Sequence, residues 1–412
     1  MPAPLVARTL PIADPGPLLG ALPDVDALAW VRRGEGLVGW GVTTRIDTAG
    51  PDRILDAERA WARLMAHAVV RDEVGLPGTG PVAFGSFAFS PQSPTGGTLV
   101  VPQVVLGRRG DRWWLTTMAL GTVPALPDLD PAAPPTGPGA VAFADGAQSA
   151  LQWASAVARA IAQIGAGQVE KVVLARDLEA STELAVQPRW VLERLAERYP
   201  GCWTFAVDGL VGATPEMLVR REKGLVTSRV LAGTIRRTGD DTRDLALAAS
   251  LARSSKDLEE HEYAVRSVAD ALAPHCTSTN VPEAPFVLHL ANVMHLATDV
   301  TGVLADGVSS LALAQALHPS AAVCGTPTEA AAALIDDLEG MDRDRYAGPV
   351  GWIDAEGDGE WGIALRCARI DPENPRRLRL FAGCGIVAGS DPQAEVAESD
   401  AKLVPMRDAL TA

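Results

Sequence analysis

"CWTFAVDGLVGATPEMLVRREKGLVTSRVLAGTIRR" spans Cys202–Arg237 and reads as several strands in a meander. Upstream, "SALQWASAVARAIAQIGAGQ" (Ser149–Gln168) is helical and ends at glycines, "VEKVVLARDLEA" (Val169–Ala180) is a strand, and "RWVLERLAERYP" is a helix that stops before Pro200. Downstream, a long helical stretch runs from about Asp241 to Ala273. It is followed by the strand "VMHLATDVTGVL", the short helix "SSLALAQAL", a loop with Pro319 and Pro327, a second short helix, and strands over Gly348–Asp354 and Glu360–Ile370. Strands and helices interleave without regular βαβ units. That predicts an α+β fold with large antiparallel sheets and helices packed on them.

The first third is β-rich. "ALAWVRRGEGLVGWGV" (Ala27–Val42) predicts a hairpin around Gly34-Glu35-Gly36, and "VVLGRRGDRWWLT" (Val104–Thr116) another around Arg109-Gly110-Asp111. Between them, Ile54–Val70 has helical periodicity and Gly80–Pro91 is a glycine-punctuated strand. The proline-rich "VPALPDLDPAAPPTGPGA" (Val123–Ala140) propagates neither helix nor central strand and predicts a surface connection.

The totals narrow the function classes. The chain has 412 residues, 47% of them hydrophobic, enough for a sizeable core. A formal charge of -15 argues against nucleic-acid binding, so an anionic substrate would need local cations or backbone N–H groups. Five cysteines without C-x-x-C spacing argue against disulfide or zinc frameworks. No run of about 18 apolar residues predicts a membrane span, and the N-terminus has no signal-peptide core. A cytoplasmic protein is the expectation.

Several clusters could carry chemistry. "FAGCGIVAGSDPQAEVAESDAKL" (Phe381–Leu403) begins as a strand, breaks at glycines, and restarts as a helix with Asp391 as N-cap and Pro392 at its first position. Glu395, Glu398 and Lys402 then share one face. A second acidic helix, "SSKDLEEHEYAV" (Ser254–Val265), offers Asp257 and Glu260 at i, i+3. Taken alone, each face reads first as solvated charge, since such spacing is common. Together they could offer Mg²⁺ hard oxygen ligands. Lys171 opens an apolar strand, where an edge lysine is the bland alternative. Glu216 follows Pro215 with little charge company, which can raise a carboxyl pKa. The glycines of "LAGTIRR" and "AGCGIV" predict turns whose N–H groups could receive a carboxylate. Arg366 and His295 are polar residues within apolar strands, and a buried arginine asks for an anion. P-loop, Rossmann and G-x-S-x-G signatures are absent.

In this order, "KVVLARD", "GATPEMLVRR", "LAGTIRR", "SSKDLEEHE", "HLATDVTG", "HPSAAVCGTP", "YAGPVGWIDAEGDGEWGIALRCA" and "FAGCGIVAGSDPQAEVAES" resemble the chorismate-utilising enzymes, which include isochorismate, salicylate, anthranilate and aminodeoxychorismate synthases. The motifs cover roughly Gln168–Leu403, and "LVGWG" and "AFGSFAF" extend the resemblance loosely into the first third. The resemblance implies one large α+β domain over 1–412, with two big sheets face to face and helices outside. A β-rich part over 1–140 would precede a part over 141–412 that carries the cleft.

It also implies roles. Lys171 would be the general base that activates water, and Glu216 the general acid at the departing hydroxyl. Glu260 and Glu398 would hold Mg²⁺, supported by Asp257 and Glu395. Arg366 and the backbone around Gly383 and Gly385 would hold one substrate carboxylate. His295 would sit near the other, beside the Gly233-Thr234 turn, and Lys402 would balance the carboxylates. The base must be neutral and the acid protonated at the working pH, which asks for tuning of both.

Within the family, Thr328 stands where nitrogen-adding members and salicylate synthases generally carry lysine. Ala322 stands where isochorismate synthases tend to have alanine. Both point to an isochorismate synthase acting alone on chorismate, as a monomer without a glutaminase partner, in a menaquinone or siderophore route. Tyr346 points the other way, to a salicylate synthase. Cys384 stands where the family more often has alanine. A non-catalytic chorismate-binding member is the reading from another class, and it would be favoured by broken motifs.

Overall fold

The structure, a computed structural model, describes residues 3–127, 129, 133–289 and 293–411, with the side chains of Lys256 and Glu260 outside that description. Arg33 and Gly34 take φ of 53° and 76° and join the strands Leu28–Arg32 and Glu35–Trp40. A two-residue turn with positive φ matches the twist of paired strands. It falls one residue earlier than the sequence suggested, because Glu35 already pairs with Arg32.

Eight α-helices are present among the described residues: α1 (Arg53–Met65), α2 (Ala150–Gly165), α3 (Pro188–Arg198), α4 (Asp241–Leu251), α5 (Ser255–Leu272), α6 (Ser310–Leu317), α7 (Thr328–Glu339) and α8 (Pro392–Thr411). Three boundaries differ from expectation. The helix after Ile54 ends at Met65, and Val69–Asp72 is a strand alongside Leu5–Ile12. The stretch after Asp241 is two helices, because the Ser254 hydroxyl accepts from the Asp257 N–H and starts a new one. The last apolar strand breaks into Gly359–Ile363 and Cys367–Ile370, with Arg366 at φ 48° between them.

Two large sheets carry the fold. The first runs from Val141–Asp145 through Lys171–Thr182, Arg377–Ile386, Cys367–Ile370, Leu210–Thr214, Trp203–Val207, Leu28–Arg32, Glu35–Trp40, Val104–Arg109, Arg112–Leu120 and Leu5–Ile12 to Val69–Asp72. The second runs from Cys276–Asn280 through Val293–Leu304, Leu225–Arg236, Met217–Glu222, Gly359–Ile363, Pro349–Asp354, Val82–Phe87 and Gly97–Val101 to Thr44–Thr48. Pairing is antiparallel apart from Leu5–Ile12 with Val69–Asp72. Strands from the first third are interleaved with later ones in both sheets: Leu28–Arg32 lies beside Trp203–Val207, and Val82–Phe87 beside Pro349–Asp354.

The core holds inward-facing aromatics of both sheets. Trp30 and Phe205 have ring centroids 6.4 Å apart, and Phe87 and Trp361 5.7 Å. Each such side chain contributes about 1.5–3 kcal/mol by leaving water. A second apolar layer forms where Val191 and Leu195 of α3 and Leu403 and Met406 of α8 cover Ala206 and Val211 of the first sheet. Helices α1, α5 and α6 pack on strands of the second sheet. The two sheets face each other with helices outside. No helix among the described residues is long and apolar enough to cross a membrane.

Candidate active site

Lys171 begins the twelve-residue strand Lys171–Thr182, which pairs with Arg377–Ile386 in the register Val173 to Gly385 and Ala175 to Gly383. The glycines expected to break the chain at 383 and 385 lie inside this strand. A Cβ on Gly385 would sit 3.0 Å from Lys171 Cε, and one on Gly383 would sit 3.0 Å from both the Leu174 carbonyl oxygen and the Tyr346 hydroxyl, so both positions are tightly surrounded. Past Leu380 the strand has no second partner among the described residues. Lys402 Nζ donates to the Gly383 carbonyl at 2.8 Å, so that carbonyl points to the open edge. In an antiparallel strand a residue's N–H and C=O point the same way, and alternate residues agree. The N–H groups of Gly383 and Gly385 therefore face the open edge too.

A buried ion pair holds Lys171's strand to its neighbouring loop. Glu339, at the end of α7, accepts from the Ala175 N–H at 2.7 Å. Arg343 pairs with Glu339 and donates to the carbonyls of Val323 (2.9 Å) and Val173 (2.6 Å). Both side chains are almost fully buried. The i, i+4 spacing was readable, but its burial was not, since charges at that spacing usually lie in water. Arg343→Met leaves Glu339 charged and unpaired in the core, so it is expected to cost about 3–5 kcal/mol of stability. Chemical denaturation measures this, and a loss below about 1 kcal/mol would show that the pair is dispensable.

Glu216 lies between the strands Leu210–Thr214 and Met217–Glu222. Its N–H donates to Thr214 Oγ1 at 3.2 Å, and its carbonyl accepts from the Ile363 N–H at 3.1 Å. The side chain is 9% exposed. Burial pushes its pKa up to about 7, against the opposing pull of the Lys171, Lys402 and Arg366 cations. Glu216, Ser228, Ser320 and Ala322 line one narrow cavity, and the Ser320 hydroxyl in it has no partner among the described residues.

Arg366 and His295 supply further unsatisfied groups. Arg366 Nη1 and His295 Nε2 are buried without a partner among the described residues. His295 stands opposite Thr234 across paired strands, and its Nδ1 lies 2.9 Å from Thr234 Oγ1. Burial holds its pKa down at about 3, helped by the Arg366 and Lys402 charges and opposed by a hydrogen bond with Gly233, so it is neutral at any working pH. Gly233 is not a terminal turn. It sits at a register shift within Leu225–Arg236, at φ 74°. A Cβ there would come within 3.2 Å of Asp257 Cβ, so α5 packs closely on this strand. Tyr346 is buried and stacked on Phe381 at 5.2 Å.

The expected metal ligands are partly brought together. Potential ligand atoms of Cys384, Glu395 and Glu398 lie within 4.8 Å of one another, and Asp257 is not part of that group. The Glu260 side chain lies outside the described residues. Two carboxylates suit a hard divalent cation. The Cys384 thiol does not, since burial pushes its pKa up to about 12 and it stays neutral. Glu395 is raised above the usual carboxylate range by burial, by Glu398 beside it, and against a Ser390 hydrogen bond. That mutual repulsion is what a bound cation would relieve. Lys402 Nζ, 2.8 Å from Glu398, offsets part of it. Lys402 is raised despite burial, and with Cys384 neutral the Glu398 carboxylate is the partner responsible. Cys384 and Ser390 were not expected here. Cys384 gave only a departure from the family pattern, and Ser390 gave no signal beyond its place before Asp391.

The sequence profile of the chorismate binding enzyme family matches residues 15–125 and 132–411. The salicylate biosynthesis isochorismate synthase of Pseudomonas aeruginosa is 35% identical, over 99% of this chain and 90% of that protein. The isochorismate synthase DhbC of Bacillus subtilis is 41% identical, over 62% of this chain and 66% of that protein. Among solved structures, MenF, the menaquinone-specific isochorismate synthase of Escherichia coli, superposes with a TM-score of 0.83 at 25% identity, covering 100% of this chain and 96% of that one.

Proposed function

The chain belongs to the chorismate binding enzyme family, and from that premise we propose that it is an isochorismate synthase, converting chorismate reversibly to isochorismate. The observation that carries the reading is the buried Glu216 carboxyl. With a pKa of about 7 among three cations, it can hold a proton near neutral pH and release it to a leaving group.

In the proposed reaction, the Lys171 amine takes a proton from a water that adds to ring carbon 2. Glu216 gives its proton to the hydroxyl on carbon 4, which leaves as water while the double bonds shift. One water enters and one departs, so substrate and product are isomers. Lys171 ends protonated and Glu216 charged, and solvent exchange resets them. In reverse the two exchange roles. Arg366 Nη1 and the N–H groups of Gly383 and Gly385 are suited to the enolpyruvyl carboxylate, and His295 with Thr234 to the neighbourhood of the ring carboxylate. Glu260 and Glu398, with Asp257 and Glu395 in support, would hold Mg²⁺, which would neutralise the ring carboxylate. The methyl of Ala322 adds no polar group of its own to the acid's cavity.

Tyr346 favours a second reading, in which the product goes on to lose pyruvate and gives salicylate. Incubating the protein with chorismate, with and without Mg²⁺, and separating the products distinguishes the two. A Mg²⁺-dependent mixture of chorismate and isochorismate supports the first. Stoichiometric salicylate and pyruvate supports the second, and bound chorismate without turnover overturns both. Glu398→Gln is expected to raise the Mg²⁺ concentration for half-maximal rate at least about tenfold. An unchanged Mg²⁺ dependence removes Glu398 from the metal site.

A further inference from the structure

A cavity of about 20 Å³ adjoins Glu216 on the side of α5, and the reaction proposed above makes no use of it. A water needs about 10–15 Å³ for its centre and roughly two to four polar partners, so the space suits one water. Leu218, Val230, Val268 and Ile363 make most of the wall apolar. What can hold a water there is the Glu216 carboxyl, the hydroxyls of Ser228 and Ser320 and, at the exposed face of α5, the hydroxyl of Ser267.

These groups are unequally engaged. The Ser228 hydroxyl donates to the Leu218 carbonyl at 2.6 Å, which leaves it only lone pairs for a further partner. The Ser320 hydroxyl is buried with no partner among the described residues. Its backbone is fixed. The Ser320 carbonyl accepts from the N–H groups of Val323 at 3.1 Å and Cys324 at 3.0 Å, and Arg343 holds the Val323 carbonyl at 2.9 Å. A hydroxyl buried in this way forfeits free energy unless a water reaches it.

Glu216 stands between this cavity and the cleft. The cations that act on its carboxyl, Lys171, Lys402 and Arg366, are not among the groups that line the cavity. Arg229 does line it, but is engaged by Asp299 at 2.7 Å.

We propose that Ser320 positions the acid: through one water held in this cavity, its hydroxyl orients the Glu216 carboxyl and stabilises the carboxylate left once the proton has passed to the departing hydroxyl. Ser320 O–H donates to the water oxygen, and the water donates one hydrogen to Glu216 and the other to Ser228 Oγ. The Glu216 oxygen that accepts is the one without the acidic proton, so the same hydrogen bonds serve before and after transfer. They strengthen as charge develops on the carboxylate and need no rearrangement during the step. Only the acidic proton moves, from Glu216 to the oxygen on carbon 4 as that C–O bond breaks. The inference rests on the reading of Glu216 as the general acid.

Ser320→Ala and Ser320→Thr test it, with thermal melts to show that both fold. Steady-state rates from chorismate are measured at saturating Mg²⁺ from neutral pH through the alkaline limb. Ser320→Ala is expected to lower kcat at neutral pH about tenfold, the worth of a hydrogen bond to a charged group, with KM unchanged. Its alkaline limb should move up by about one pH unit, because a donor to the charged form has been lost. Ser320→Thr keeps the hydroxyl and should match the wild type in both respects. A crystal structure of the wild type should show an ordered water within hydrogen-bond distance of Ser320 Oγ and a Glu216 oxygen. Wild-type rates and an unmoved limb in Ser320→Ala overturn the proposal. So does a threonine variant as slow as the alanine one, a loss carried by KM alone, or a dry cavity. A wild type that forms no isochorismate removes the acid's role and this inference with it. Isochorismate formation together with any of the other adverse results removes the inference alone.

Discussion

Lys171→Ala is expected to lower kcat by about 10²–10⁴, the usual worth of a positioned general base. The fold should persist, because Lys171 sits at a strand start and its strand is anchored deeper by Glu339 and Arg343 at Ala175 and Val173. Chorismate should still bind, since the unpartnered groups of Arg366 and His295 are untouched. Single-turnover product analysis is the check. Isochorismate formed at the normal rate by the variant would remove Lys171 from the chemistry. A collapse in chorismate affinity with kcat unchanged would recast it as a binding residue.

Glu216→Gln should lower turnover comparably, with a second and independent signature in stability. With a pKa of about 7, Glu216 is protonated and competent as an acid below that pH and loses competence above it. Wild-type turnover in the chorismate direction should therefore fall through pH 7–8, and the residual rate of the glutamine variant should lack that limb. The stability change has a definite sign. The folded-state pKa is raised from 4.5 to about 7, so as pH climbs through this window the unfolded chain gives up the proton first and the native state loses stability. A neutral glutamine escapes that loss. At pH 8 the variant should be more stable than the wild type by roughly 3 kcal/mol, from the size of the shift. At pH 4 the difference should vanish. Equal stability at both pH values would mean that Glu216 is solvated rather than buried.

Much of the site was legible because helix geometry is local. Asp391, Pro392 and the i, i+3, i+7 spacing of Glu395, Glu398 and Lys402 contain all that is needed to place three charges on one face of α8, and Asp391 accepts from the Ala394 N–H as expected. The α+β class with large antiparallel sheets followed from strands that never settled into a βαβ rhythm. The glycines misled, because a glycine's turn preference is local and its reason here is tertiary. Gly385 stays within a strand beside the Lys171 side chain, and Gly233 sits at a bulge, left-handed and packed against Asp257. Arg366 was read as a strand residue, but it turns left-handed at the break after Ile363.

The interleaving of early and late strands bears on how the chain is made. Val82–Phe87 is wholly buried in the finished protein, yet its neighbour Pro349–Asp354 leaves the ribosome about 270 residues later, on the order of 10–50 s at translation speed. Leu28–Arg32 likewise waits for Trp203–Val207. During that interval the nascent chain carries apolar strand edges with no native partner, the condition under which foreign strands add on. A fragment released at the proline-rich segment near residue 130 would keep those edges for good. Expression of the first third by itself should yield aggregate, and co-expression of the two pieces should recover soluble protein only where both are synthesised together.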